Sequence, residues 1–376
     1  MPGLLSDIDP DGLLEFSVVF TDRSVNHMSQ KFQDVMVEIS STLKRVYNAE
    51  SVAVVPGGGT YGMEAVARQF GTGKKCLVIR NGFFSFRWTQ ILEMGSIASE
   101  HTILKASRIS EAADAPFAPM PIGQVCKTIR SDKPQVVFAP HVETSAGILL
   151  PDDYLRAIAD ATHEVGGLFV LDCIASGALW VDMQALGIDV LISAPQKGWS
   201  ASPCSALIMM SANASETIQK TDSTSFAVDL KKWLQIMKTY ENGGHTYHAT
   251  MPTDALIKFR DAMRETETYG LEKLRNQQIE LGVRIRKLLS DKGIKSVAAD
   301  GFQAPGVIVS YTSDAKVQTG KAFIEVGLQI AAGVPLQCDE GDDFRSFRLG
   351  LFGLEKLKNV DRTVETLEAA LNAVCR

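Results

Sequence analysis

Between residues 51 and 210, short apolar runs alternate with stretches of helical periodicity, which leaves few architectures open. Strand-like runs occur at "SVAVV", "KCLVI", "QVVFA", "GLFVLD", "VLISA" and "ALIMM". Each is apolar almost throughout rather than alternating, as a strand must be when both its faces are covered. The segments between them include "TYGMEAVARQF" and "DDYLRAIADATHEVGG". In the first, Met63, Val66, Ala67 and Phe70 fall at i, i+3, i+4 and i+7, on one helical face. The pattern predicts an α/β fold, a mostly parallel sheet with helices on both sides.

After about residue 253 the texture changes. A long charged helical stretch runs through "TDALIKFRDAMRETETYGLEKLRNQQIELGVRIRKLLSDKG", with Gly270 as a possible break. Then come a strand at "GVIVSY", a helix near "TGKAFIEVGLQI", a strand at "SFRLGLF" and a last amphipathic helix through "VDRTVETLEAALNAV". A chain of 376 residues exceeds one ordinary core, so two domains are expected. The reading is an N-terminal arm over 1–20, a large domain over 21–253 and a smaller C-terminal α+β domain over 254–376.

The formal charge of −6 argues against nucleic-acid or anionic-membrane partners, which need basic surface. No apolar run reaches the roughly 18 residues that span a bilayer. The acidic start "MPGLLSDIDPDGLLEF" lacks signal-peptide character, and "NAVCR" carries no anchor or peroxisomal address. Cys76, Cys126, Cys173, Cys204, Cys338 and Cys375 are scattered without a C-x-x-C pair, which suits a reducing, cytoplasmic setting. His245 and His248 stand at i, i+3 with no third ligand in sensible spacing, so no metal site is expected.

Three segments carry chemistry. In "VVPGGGTYGMEA" a strand ends at Val55, Gly57, Gly58 and Gly59 follow, and a helix starts near Thr60. Glycines admit a ligand to the backbone, and a helix N-terminus offers free N–H groups, so this is a candidate phosphate cup. It is not a P-loop, because no Gly-Lys-Ser/Thr ends it. In "FVLDCIASGA", Asp172 closes an apolar strand, where open α/β sheets place their ligands. In "VLISAPQKGWSASPCSALIMM", Lys197 lies between two buried strands; such a lysine either snorkels to water or does chemistry. A Schiff-base lysine, a carboxylate for a pyridinium nitrogen and an anion cup are together what pyridoxal 5'-phosphate requires.

From about residue 20 onward the chain resembles the class V (fold-type I) pyridoxal-phosphate-dependent aminotransferases, in particular the alanine–glyoxylate and serine–glyoxylate group. The resemblance implies a large domain with a mostly parallel seven-stranded sheet. "GGGTYGMEA" resembles the family's cup, giving Gly58, Gly59 and Thr60 to the phosphate. "RNGFFSFRW" resembles the segment whose ring stacks on the cofactor, here Phe84 where tryptophan is commoner. "PHVETSAG" gives Thr144 to the cofactor's phenolic oxygen and makes Glu143 a nearby structural acid. "LDCIAS" makes Asp172 the pyridinium partner and Ile174 an apolar wall. "SAPQKGW" gives Gln196 to the phosphate and Lys197 to the aldehyde. "TYHATMPTDAL" resembles a segment crossing a homodimer interface, so Tyr247 and Thr250 would reach the neighbouring subunit's site. "FRLGLFG" supplies Arg348 for the substrate carboxylate.

The implied reaction moves an amino group from a small amino acid, alanine or serine, to glyoxylate or pyruvate, in ping-pong fashion. The family's opening Gly-Pro-Thr/Ser-Pro element is replaced by "EFSVVFTDRSVNHMS", so substrate choice transfers less readily than cofactor binding. Three alternatives stand beside it. "GGGTYGMEA" and "HVETSAG" also resemble 2-aminoethylphosphonate–pyruvate aminotransferases. Cys338 in "VPLQCDEGDDFRSFR" invites a cysteine desulfurase or another fold-type I lyase. A non-catalytic ligand-binding homologue would lack a reason for Lys197.

Overall fold

The computed structural model describes residues 7–374; Cys375 and the first six residues of the expected arm lie outside it. The apolar runs form strands β1 Ser51–Pro56, β2 Lys75–Arg80, β3 Glu100–Lys105, β4 Val136–Pro140, β5 Leu168–Asp172, β6 Val190–Ser193 and β7 Ser205–Met210. They make one seven-stranded sheet in the order β1-β7-β6-β5-β4-β2-β3. Strand β7 is antiparallel to both its neighbours, and the other adjacent pairs are parallel. Only β3 went unread in the sequence. It is an edge strand whose residues are mostly half-exposed, so "EHTILK" lacks the apolar run of its neighbours.

Helices α1 Gln30–Tyr47, α2 Gly59–Phe70, α3 Phe83–Met94, α4 Ile122–Asp132, α5 Asp152–Glu164 and α6 Leu230–Glu241 cover the sheet. Ser29 caps α1 by accepting from Phe32 N–H, and Asn48 ends it in the left-handed region. Val54, Val78, Phe138, Val170, Ile192 and Ile208 are at most 2% exposed, which is why the middles of these strands are apolar on both faces. Each such side chain contributes about 1.5–3 kcal/mol on burial.

The charged stretch forms α7 Thr253–Tyr269 and α8 Leu271–Asp291, separated at Gly270 with φ +109°. Leu256, Phe259 and Met263 of α7 pack in the large core with the sheet. Leu274, Leu281 and Ile285 of α8 belong instead to a second core with Ile308, Phe347, Leu349 and Leu371. The charged stretch is thus shared between the two cores, with Gly270 between its two helices. The second core lies on a small antiparallel sheet of β8 Val307–Tyr311, β9 Ala331–Ala332 and β10 Ser346–Gly350, with β10 central. The last helix, α9, spans Val360–Val374.

The helix expected near "TGKAFIEVGLQI" is one turn, Lys321–Ile324, before the chain extends into β9. Gly320 and Gly327 hold φ of +79° and +83° on either side, so the helical pattern has no room to continue. No helix among the described residues is long and apolar enough to cross a membrane.

Candidate active site

The chemistry-bearing segments converge at the carboxyl edge of the large sheet. Asp172 ends β5 in register with Pro140 of β4 and Ile192 of β6. Pro56, at the end of β1, pairs with Ser205 at the start of β7, which brings the three glycines to the same edge. Lys197 follows β6 in the turn leading to β7. A cavity of about 410 Å³ opens there. Gly59, Thr60, Phe84, Thr144 and Asp172 line it, joined by Ile174, Gln196, Lys197 and Arg348.

Three of the expected site residues are not among those that line this cavity. Gly58 is the N-cap of α2 and does not line the cavity. Tyr247 and Thr250 are exposed, their hydroxyls 3.2 Å apart, and neither lines it. His248 Nε2 meets the Phe226 carbonyl at 2.8 Å, with its ring against Phe226 and Trp233.

Each polar group in the cavity has a distinct environment. Asp172 is buried and accepts one hydrogen bond at 2.9 Å, from Ile174 N–H. Burial pushes its carboxyl up to about 7, with the Glu143 charge adding to the rise and Arg87 opposing it. Such a group asks for a cationic N–H partner. Burial pushes the Lys197 ammonium below its ordinary range, and the nearby Arg348 charge pushes it further. Its Nζ lies 5.0 Å from the centre of the Phe352 ring. Arg348 sits mid-strand in β10, opposite Val309 and Ala331, and its Nε donates to the Ala332 carbonyl at 2.8 Å. That bond fixes the side chain at one end and leaves the rest of the guanidinium fork available.

The Phe84 ring is held from behind. Glu143 is fully buried and accepts from Phe84 N–H at 3.1 Å and Ser85 N–H at 2.9 Å, at the start of α3. It also accepts from the Ser85 hydroxyl at 2.6 Å and from Ser145 N–H and hydroxyl at 3.0 and 2.7 Å. A carboxylate at a helix N-terminus satisfies orphan amides and meets the positive end of the dipole.

Among the side chains of the cavity that sequence reasoning missed are Arg87 and Phe352. For Arg87 a signal existed, since it stands three residues after Phe84 and so on the same helix face. Phe352 had no local signal; it reaches the cavity because the small domain folds over the sheet edge.

Cys338 does not behave as a carrier thiol. It is 4% exposed, its Sγ donates to the Arg80 carbonyl at 3.5 Å, and burial pushes the thiol up to about 12. A persulfide carrier needs an accessible thiolate, so the burial of Cys338 counts against the cysteine desulfurase alternative.

The residues fit pyridoxal phosphate on three counts. Gln196 lines the cavity, where its side-chain amide N–H group can donate to a phosphate. Asp172 is a buried carboxylate with a single donor. A Cβ on Gly59 would come within 2.4 Å of Ile174 Cδ1, so the cup and the apolar wall close on each other with no atom to spare.

Comparison with known proteins agrees with this geometry. Residues 17–315 match the family described as Aminotransferase class-V. The chain is 25% identical over 359 residues to alanine–glyoxylate aminotransferase of Rattus norvegicus, covering 93% of this chain and 82% of that one. It is also 25% identical over 354 residues to the small subunit of a soluble hydrogenase of Synechococcus sp., covering 93% and 86%. Among solved structures, alanine–glyoxylate aminotransferase from Nostoc sp. superposes with a TM-score of 0.76 at 22% identity, covering 94% of this chain and 89% of that one.

Proposed function

The chain belongs to the class-V aminotransferases, enzymes dependent on pyridoxal phosphate, and we propose that it moves an amino group from alanine or serine to glyoxylate or pyruvate. The observation that carries this reading is that Lys197, Asp172, Gly59, Thr60 and Arg348 line one cavity. The name of the rat relative supports the substrate pair, since the similarity covers 93% of this chain. The hydrogenase name carries less weight, because an anion cup, a buried carboxylate and a lysine in one cavity suit transamination directly.

When bound, the cofactor supplies an aldehyde and an electron-withdrawing ring that makes the substrate's Cα–H acidic. The protein's part is positioning and proton control. Lys197 would hold the aldehyde, and its free amine would be the base for the substrate's Cα proton; its lowered pKa keeps that amine neutral more often. Asp172 would hold a proton on the ring nitrogen through a charge-assisted hydrogen bond. Phe84 would supply the stacking surface, with less area than a tryptophan would give. Arg348 takes the substrate carboxylate and so sets which Cα bond faces the ring. The donor leaves as a 2-oxo acid, and the acceptor collects the amino group in the second half-reaction.

In this reading Thr144 and Gln196 complete the cofactor's contacts, with Gly58 at the rim of the cup, one residue before Gly59. Tyr247 and Thr250 serve the neighbouring subunit of a homodimer. Their exposure, together with Tyr61 and Phe226 at 57% and 76% exposed, leaves aromatic surface that a second copy would cover. Five of the cysteines are free and buried, which suits a cytoplasmic enzyme.

The test is the visible absorbance of protein loaded with pyridoxal phosphate, for wild type and Lys197→Ala. Alanine should bleach the wild-type band, and glyoxylate or pyruvate should restore it, while the variant does not cycle. A band that ignores alanine and serine but responds to 2-aminoethylphosphonate would move the substrate assignment to the aminophosphonate. No band in the wild type would end the reading.

A further inference from the structure

One cation in the cavity has no assigned task. Three cationic side chains, Arg87, Lys197 and Arg348, line it against a single carboxylate, Asp172. Lys197 and Arg348 are used by the reaction; Arg87 is not. Among the described residues Arg87 forms no ion pair, so it is not there to neutralise a structural acid. Two contacts hold it. Its Nη1 donates to Thr60 Oγ1 at 3.1 Å, and its Cζ lies 4.7 Å from the centre of the Phe84 ring.

We propose that Arg87 is a phosphate-recognition residue of the cofactor cup, acting through its own guanidinium and through the Thr60 hydroxyl that it orients. The inference rests on the cofactor reading given above. Thr60 lies in the first turn of α2, where free amides and the helix dipole already favour an anion. Because its oxygen accepts from Arg87, the hydroxyl's own hydrogen is turned outward and can be donated to an anion. Stacking on Phe84 ties the guanidinium to the ring platform, so the phosphate end and the ring end of the site are set by one side chain. Arg87 is tied to the cup by Thr60, whereas Arg348 is anchored on β10 through the Ala332 carbonyl, so Arg87 serves the cup and Arg348 is left for the substrate's carboxylate.

The test compares equilibrium binding of pyridoxal phosphate and of pyridoxal, which lacks the phosphate, to cofactor-free wild type, Arg87→Gln and Arg87→Lys. Binding is read by absorbance, and melting temperatures without cofactor confirm folding. Arg87→Gln should weaken pyridoxal phosphate by about tenfold or more, the size of a lost charge-assisted hydrogen bond. Its affinity for pyridoxal should stay at the wild-type value, and Arg87→Lys should recover part of the loss. Thr60→Val should cost little further in the Arg87→Gln background, since the two act as a unit. Equal weakening of both ligands would make Arg87 a support for the ring platform and overturn the proposal. So would unchanged affinity for pyridoxal phosphate with a raised KM for the amino acid. Wild type that binds no pyridoxal phosphate at all would remove the cofactor reading, and Arg87's role with it.

Discussion

Glu143 carries the start of the helix that bears Phe84: one carboxylate oxygen accepts from Phe84 N–H at 3.1 Å and the other from Ser85 N–H at 2.9 Å. With Ser145 also bound to it, this acid ties the segment after β4 to the segment after β2. A ring meant to lie flat against a cofactor needs its backbone fixed, and a buried anion bonded to several donors fixes it.

Glu143→Ala should therefore act on both stability and cofactor affinity. Removing the carboxylate leaves buried N–H and O–H groups unpartnered at about 1–3 kcal/mol each, partly recovered by water entry. A net loss of about 2–4 kcal/mol in urea unfolding is expected, with weakened pyridoxal phosphate binding in whatever fraction remains folded. Glu143→Gln turns donors toward donors and should also lose affinity. If Glu143→Gln matched wild type in both measurements, the acid would not be what holds Phe84.

Asp172 gives a pH dependence with a definite sign. Its folded pKa, about 7, lies above the ordinary 3.8, so the cofactor-free folded state binds the proton more tightly than the unfolded one. The associated stability is complete below the ordinary value and is lost as pH rises toward 7 and beyond. Asp172→Asn, which cannot ionise, should escape that loss. Without cofactor it should gain on wild type by at most about 4 kcal/mol above pH 7, and match it near pH 4. Urea midpoints of both proteins across that range decide it; parallel curves would contradict the buried, poorly partnered carboxylate. With cofactor bound the order should reverse, because the ring nitrogen loses its ionic partner.

The large sheet was legible because its central strands are buried on both faces, so "VLISA" and "GLFVLD" could not be anything exposed. The edge strand β3 was hidden for the opposite reason, as its residues from Glu100 to Lys105 answer to solvent as much as to the core. That the three glycines, Asp172 and Lys197 meet at one edge was readable from position alone, because parallel strands deliver their carboxyl ends there. Arg348 was readable only through resemblance, since it comes from another domain. Nothing in the local sequence says that a residue of β10 meets the end of β5. The one-turn helix at Lys321–Ile324 was misread because the amphipathic pattern ignored Gly320 and Gly327.

Lys197 should reveal its depressed pKa during reconstitution. Only the neutral amine attacks the cofactor aldehyde, so the association rate of pyridoxal phosphate with cofactor-free protein should rise with pH and level off below pH 10.5, the ordinary lysine value. Arg348→Met removes a neighbouring positive charge and should move the midpoint upward. Stopped-flow absorbance across a pH series measures both. A midpoint in Arg348→Met at or below the wild-type value would show that Arg348 does not act on the amine.

Gly59 and Ile174 make the last case. An added Cβ at Gly59 would stand 2.4 Å from Ile174 Cδ1 and 2.8 Å from its Cγ1. Cδ1 is the far end of a flexible side chain, so the fold can accommodate Gly59→Ala by turning the isoleucine. The cost to unfolding stability should be modest, about 1 kcal/mol. The displaced isoleucine, however, has the cavity to turn into, where the ring of the cofactor belongs. Gly59→Ala should thus lose pyridoxal phosphate affinity well out of proportion to its lost stability. Ile174→Ala removes the clash while costing its own apolar contact, so the double variant should bind more tightly than Gly59→Ala alone. Fluorescence titration of the three proteins checks this. If the double variant bound no better than Gly59→Ala, the defect would lie in the backbone of the cup, and Ile174 would not be the wall that the ring rests against.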